Sequence, residues 1–185
     1  VAEFDGNSTT DDALVVDGIT YTFPVGGSTM MVGDSTDISA LYTGACAYSG
    51  FSDYMGDCGT GNSIGLGGAT SGAAVAASYA FDGGFSLAGG VSSPTNELVG
   101  GGTDLFGVEA AYTADDYAVS VAFSDQEVST YIGVNGYYTF DFATISAGYE
   151  SEDIDDADSA SAFFVGLTKE TVSYTHLRAH ETRRY

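Results

Sequence analysis

Five acids crowd one short stretch, Glu152, Asp153, Asp155, Asp156 and Asp158, and clustered carboxylates are what hard cations such as calcium take. The run lacks the twelve-residue loop pattern with its central glycine and terminal glutamate. It therefore reads as a solvated loop, in which Asp153, Asp155, Asp156 and Asp158 form a diffuse negative field that concentrates cations. Glu109 is a different kind of acid. It stands alone in an apolar alternation, where Phe106, Val108, Ala110 and Tyr112 share one face and Leu105, Gly107, Glu109 and Ala111 the other. Asn135 repeats the arrangement, on a face with Tyr131, Gly133 and Tyr137 and opposite Ile132, Val134 and Tyr138.

Other chemistry is poorly supplied. His176 and His180, four apart and followed by Glu181, would share one face of a helix and could bind zinc, but they lie in a segment discounted below. No other histidine exists, so no serine or cysteine nucleophile has its usual base. The glycine runs Gly65 to Gly68 and Gly100 to Gly102 open no helix and meet no Gly-Lys-Ser/Thr, so they cradle no phosphate. No convincing pair of carboxylates is placed for glycosidic cleavage. An enzyme is not expected, and neither is a cofactor or a resident metal. Cys46 and Cys58 are twelve positions apart without neighbouring ligands for a metal; a loop-closing disulfide is expected, with two free thiols as the alternative.

What must position Glu109 and Asn135 is a set of hairpins. From Ala73 to Val91 two alternating runs meet at Asp82-Gly83-Gly84, with Tyr79 and Phe81 before the turn and Phe85 after it. The design recurs from Val108 to Phe123, turning at Ala114 to Asp116 between Tyr112 and Tyr117. It recurs again from Ile132 to Tyr149, turning near Asp141 between Tyr138, Phe140 and Phe142. A strand from Ile19 to Val25, edge-like or irregular at Pro24, turns at Gly26-Gly27 toward a partner at Ser28 to Gly33. A last strand runs from about Ser161 to Thr168. Tight connections fall at one end of the sheet, and open ones, Ser92 to Gly102, Ser124 to Ser129 and Ser151 to Ser159, at the other. Val1 to Asp17 carries no firm element, and Asp34 to Asn62 is the longest stretch without a period.

Composition narrows the partners. The chain has 26 acids against 4 basic residues, none before Lys169, so nucleic acid is excluded because nothing neutralises a phosphate backbone. No run approaches the roughly 20 apolar residues of a spanning helix, whereas spanning strands need only about 9 to 11 residues alternating apolar with polar or small. Aromatics bracketing each tight turn, short turns alternating with longer loops, and strand interiors almost free of acids together indicate an antiparallel up-and-down transmembrane β-barrel. In it Glu109 and Asn135 would line a pore, Glu109 staying hydrated, and Tyr79, Phe81, Phe85, Tyr112, Tyr117, Tyr138, Phe140 and Phe142 would form an interfacial girdle.

The segments GITYTFPVGGSTMMVGDSTDISA (Gly18 to Ala40), CAYSGFSDYMGDCGTGNS (Cys46 to Ser63), SYAFDGGFSLAGGVSS (Ser78 to Ser93), EAAYTADDYAVSVAF (Glu109 to Phe123) and VNGYYTFDFATISAGYE (Val134 to Glu150) resemble, in order and spacing, the outer-membrane porins of cyanobacteria. These are related to carbohydrate-selective porins and often labelled iron uptake porins. The resemblance implies a homotrimeric barrel of about sixteen strands, passing inorganic ions and held to peptidoglycan by a module absent here. It implies that this chain is an internal piece, with residues 18–171 as partial barrel and 1–17 as an acidic, loop-like segment. Residues 172–185, VSYTHLRAHETRRY, resemble the translated read-through of a sequencing adaptor and are set aside as non-native.

The expected function is a passive, cation-preferring channel in the outer membrane. The rival is a secreted or surface-layer β-protein of structural or adhesive role. The two differ in the fate of Val75, Leu87, Val108, Val119, Val121 and Ile145: a lipid-facing band about 25 Å tall in a barrel, a core packed on a second sheet in a sandwich.

Overall fold

Alternation is cleanest over Tyr117–Asp125, where Tyr117, Val119, Val121 and Phe123 are exposed and Ala118, Ser120, Ala122 and Ser124 are buried. A strand puts successive side chains on opposite faces, so this period sorts bulky residues to one side and small ones to the other. The same sorting runs through the whole sheet. The structure is a computed structural model that describes residues 2–5, 15–36, 38–43, 45, 72–93, 95, 98 and 104–169, without the side chains of 2–5, 15–17, 162 and 164.

Ten strands follow in chain order: β1 Ala2–Asp5, β2 Val15–Val25, β3 Ser28–Thr36, β4 Gly72–Ala80, β5 Phe85–Ser93, β6 Leu105–Thr113, β7 Tyr117–Asp125, β8 Ser129–Phe140, β9 Ala143–Ile154 and β10 Ala160–Thr168. Each pairs antiparallel with its neighbours in sequence, giving one up-and-down sheet whose end strands, β1 and β10, do not pair with each other. The chain is thus all-β and antiparallel. A one-turn 3-10 helix, Ile38–Leu41, is its sole helical element among the described residues.

Three expectations change. Residues 1–17 are not without structure: β1 lies there and β2 begins at Val15, the four residues of β1 being held by pairing with Val15 to Ile19 rather than by any period of their own. Because β1 reaches no further than Ile19, β2 is an edge at Pro24, which has no N–H to donate. The connection expected to be open at Ser124 to Ser129 is tight. Strand β7 continues to Asp125, and the Gln126 amide donates to the Ser129 carbonyl at 2.9 Å, with Glu127 at φ 59°.

Gly26 and Gly27, at φ 57° and 91°, form the two-residue turn between Val25 and Ser28, the mirror-image turn that matches strand twist. Gly83 and Gly84 both have φ 90° in the β4–β5 turn. Neighbouring hairpins are tied along this rim: the Thr113 amide donates to the Gly84 carbonyl at 2.9 Å, and the Thr139 amide to the Asp116 carbonyl at 2.7 Å. A Cβ at Gly84 would run into the Thr113 carbonyl oxygen. Gly84→Ala is therefore expected to destabilise the fold by about 1–3 kcal/mol, through left-handed backbone strain and the broken tie. A urea titration in detergent micelles reads this, and an unchanged midpoint would contradict it.

The strands are also staggered. Following the register from Ala80, the last residue of β4, through Ser86, Ala111 and Ser120 leads to Asn135, which is five residues short of the end of β8. With about 3.3 Å per residue and about 4.8 Å between strands, five residues over four steps is a slope of about 40° relative to the rim of turns.

Candidate functional site

The two faces differ in kind. One is bare and apolar: Val75, Leu87, Val108, Val119, Val121 and Ile145 are 39–50% exposed, and no second sheet lies over them among the described residues. The other is covered, and it is built of Gly, Ala and Ser with a few polar side chains set among them.

Glu109 and Asn135 both lie on the covered face. Glu109 is 2% exposed, Asn135 1% and Glu150, on β9, 0%. Register places Glu109 beside Ala122, Ala122 beside Gly133 and Gly133 beside Glu150, so the two glutamates end one cross-strand row. Asn135 belongs to the next row, beside Ser120 and Gly148. Sequence reasoning passed over Glu150 by treating it as the tail of a strand leading into an acidic loop. The signal was available, since Ile145, Ala147 and Tyr149 fix the bare face and send Ser146, Gly148 and Glu150 to the other.

What covers part of this face is the chain that follows β3. The 3-10 helix sets Ile38 against Met31, Ala74, Ala76 and Leu105, with Leu41 and Tyr42 at the margin. Gly107 makes room for it: a Cβ there would lie 2.6 Å from Ile38 Cδ1 and 2.7 Å from the Tyr42 hydroxyl. Just beyond, the Thr43 amide donates to Glu109 Oε2 at 2.7 Å, and Ser86 Oγ donates to Thr43 Oγ1 at 2.9 Å. Glu109 is therefore not the hydrated carboxylate expected from the sequence. It anchors a segment folded onto its own strand.

Near the other end of β8, Ser129 Oγ donates to the Tyr131 hydroxyl at 3.0 Å, and that hydroxyl donates to Glu152 Oε1 at 2.8 Å. Asp153, Asp155, Asp156 and Asp158 are exposed at the same end, Asp153 accepting from Ser159 Oγ at 3.0 Å. Among the described residues no group of three or more His, Cys, Asp or Glu side chains is placed to hold a metal ion.

The aromatics named from the sequence, Tyr79, Phe81, Phe85, Tyr112, Tyr117, Tyr138, Phe140 and Phe142, flank the turns in ring contacts. Tyr79 with Phe81, Phe85 with Tyr112, and Tyr138 with Phe140 each have centroids 4.6 Å apart. Tyr112 meets Tyr117 at 5.8 Å, and Phe140 meets Phe142 at 5.5 Å. A pair missed by the sequence reading, Phe106 and Phe123 at 6.4 Å, sits at the opposite ends of their strands on the bare face. Cys46, Cys58, His176 and His180 lie outside the described residues.

No family model matches the chain, and no curated protein does. A solved porin does. It is a triple mutant of the Rhodopseudomonas blastica porin, 15% identical, with a TM-score of 0.46 over 91% of this chain and 72% of that one. At that degree of overlap, function has to come from the surfaces of this chain itself.

Proposed function

We propose that this chain is part of an outer-membrane porin, a passive channel that favours cations among ions and small hydrophilic solutes. The observation that carries the reading is the bare face. A contiguous apolar surface of this extent is far larger than a water-soluble monomer leaves exposed, and hydrocarbon is the solvent that suits it. Strand dimensions agree: strands of 9 to 12 residues, β1 apart, sloping at about 40°, rise about 23 Å or more, near the roughly 25 Å apolar band of such barrels. The slope itself falls in the roughly 35–45° range of spanning barrels. Rings at both strand ends would sit at the two interfaces, with Tyr79, Phe81, Phe85, Tyr112, Tyr117, Tyr138, Phe140 and Phe142 at one of them.

The covered face is then the channel wall, carrying Glu109 and Asn135, and the segment 38–43 narrows the water path beside it. Asp153, Asp155, Asp156 and Asp158 would draw cations to one mouth. Closing the barrel takes strands beyond β1 and β10. The resemblance to cyanobacterial porins extends the reading to a homotrimer tethered to peptidoglycan through another module, to a Cys46–Cys58 disulfide, and to inorganic ions, iron included, as cargo. The secreted or surface-layer alternative needs a partner sheet over the bare face.

Planar bilayers test the channel. With the chain, or the longer protein that contains it, inserted under a potassium chloride gradient, the reversal potential is expected on the cation side; a chloride-selective potential would refute the preference. Failure to form any conducting pore while folded would favour the alternative.

A further inference from the structure

The geometry points to a binding site for a hard divalent cation on the covered face, held by Glu109, Asn135 and Glu150. The role of this site, a resting place for cations beside the permeation path, depends on the channel reading; its chemistry does not.

Three observations carry it. Glu109 is nearly wholly buried, yet no Lys, Arg or His precedes Lys169 in the chain, and Lys169 is itself exposed. A buried carboxylate calls for a counter-charge, and among the described residues Glu109 has only the neutral Thr43 amide, on Oε2, while Oε1 has no partner. Asn135 is more buried still, and neither Oδ1 nor Nδ2 of its carboxamide finds a hydrogen bond. Buried polar atoms are almost always satisfied, so this side chain is set for something that is not protein.

The third observation is the floor. Glu109 and Glu150 are three strand spacings apart in one row, roughly 14 Å. Two glutamate arms of roughly 5 Å each, with cation–oxygen distances of roughly 2.4 Å at either side, span about the same length. Between them lie only Ala122 and Gly133, which leave the space open, and Asn135 is two residues from Gly133 along β8. Two carboxylates and an amide oxygen make an all-oxygen set with two negative charges, which suits calcium or magnesium better than softer metals. Unlike the exposed aspartates at the strand ends, these groups are dry and fixed by the sheet.

Terbium is a suitable probe, because it replaces calcium and its luminescence is sensitised by tyrosine; Tyr131 and Tyr137 share the covered side of β8 with Asn135. With the whole chain folded in detergent micelles, Tb3+ is expected to give a saturable signal that Ca2+ displaces and Mg2+ displaces less readily. Glu109→Gln and Asn135→Ala should each weaken binding by about tenfold or more. Asn135→Asp, nearly equal in volume and adding a charge, should tighten it by about tenfold, which keeps the test decisive even if Glu109→Gln folds poorly. Asp155→Asn and Asp156→Asn should change nothing. A signal that follows the loop aspartates instead, or no saturable signal from a chain with intact β circular dichroism, overturns the site. Flotation with lipid vesicles is read in parallel. A chain that floats but whose wall variants bind Tb3+ like the parent sinks the site and spares the channel; a chain that binds as described but never floats sinks the channel, and the permeation role with it.

Discussion

Val121→Arg is expected to abolish insertion into phospholipid vesicles. Val121 is the middle residue of β7, on the bare face, with Ala110 and Val134 beside it in register. In a spanning strand that position lies near the bilayer midplane, where an arginine costs about 2–4 kcal/mol, a factor of about thirty to nearly a thousand in the insertion equilibrium. Val128→Arg, in the β7–β8 turn, is the companion, since near an interface the same charge costs only about 0–1 kcal/mol. The sign separates the readings. If water bathed the bare face, Val121→Arg would leave the fold unharmed and raise solubility, and if a partner sheet covered it, the variant would lose that partner without ever having floated. Flotation on a density gradient, with urea titration of the floated material, distinguishes all three.

Gly107→Val is expected to drive the segment 38–43 off the covered face. The added carbons would stand where Ile38 Cδ1 and the Tyr42 hydroxyl now lie, and the sheet backbone at Gly107 has neighbours on both sides that hold it in place. Overpacking of this kind costs about 1–3 kcal/mol, and the cheapest relief is release of the short 3-10 turn rather than distortion of two ladders. The measurement is chemical. A Ser39→Cys reporter, buried in the parent, placed in a background without Cys46 and Cys58, should react with a maleimide about 5- to 150-fold faster in the Gly107→Val chain. Single-channel conductance should rise alongside it. Equal labelling rates in the two backgrounds would mean that the segment is not held by that contact.

The strands were legible wherever one face is bulky and the other small, because period two is a local property and each hairpin carries its own turn. Phe106 to Tyr112 and Tyr117 to Phe123 needed nothing else. The side on which Glu109 and Asn135 fall was equally readable. What lay on top of them was not: the Thr43 to Glu109 bond joins residues 66 apart, and nothing in the run ISALYT has a period to announce where it docks. Gly107 looked like any other small residue of a strand, although its missing Cβ is what admits Ile38. The tight β7–β8 turn escaped notice for a different reason. Glu127 adopts φ 59° without being glycine or asparagine, so the usual turn chemistry gave no cue. Strand β1 was hidden because it depends on its partner and carries no alternation of its own.

Since every strand joins the one before it, the ribbon can grow hairpin by hairpin, with little loop entropy lost at each addition. Thr43 is the exception to that local economy. It leaves the sheet after the third strand, but its carboxylate anchor arrives only with the sixth, so the plug must wait, unfastened, while three more strands are laid down. Docking therefore comes late in assembly, and a chain stalled before β6 would present a wall without its insert.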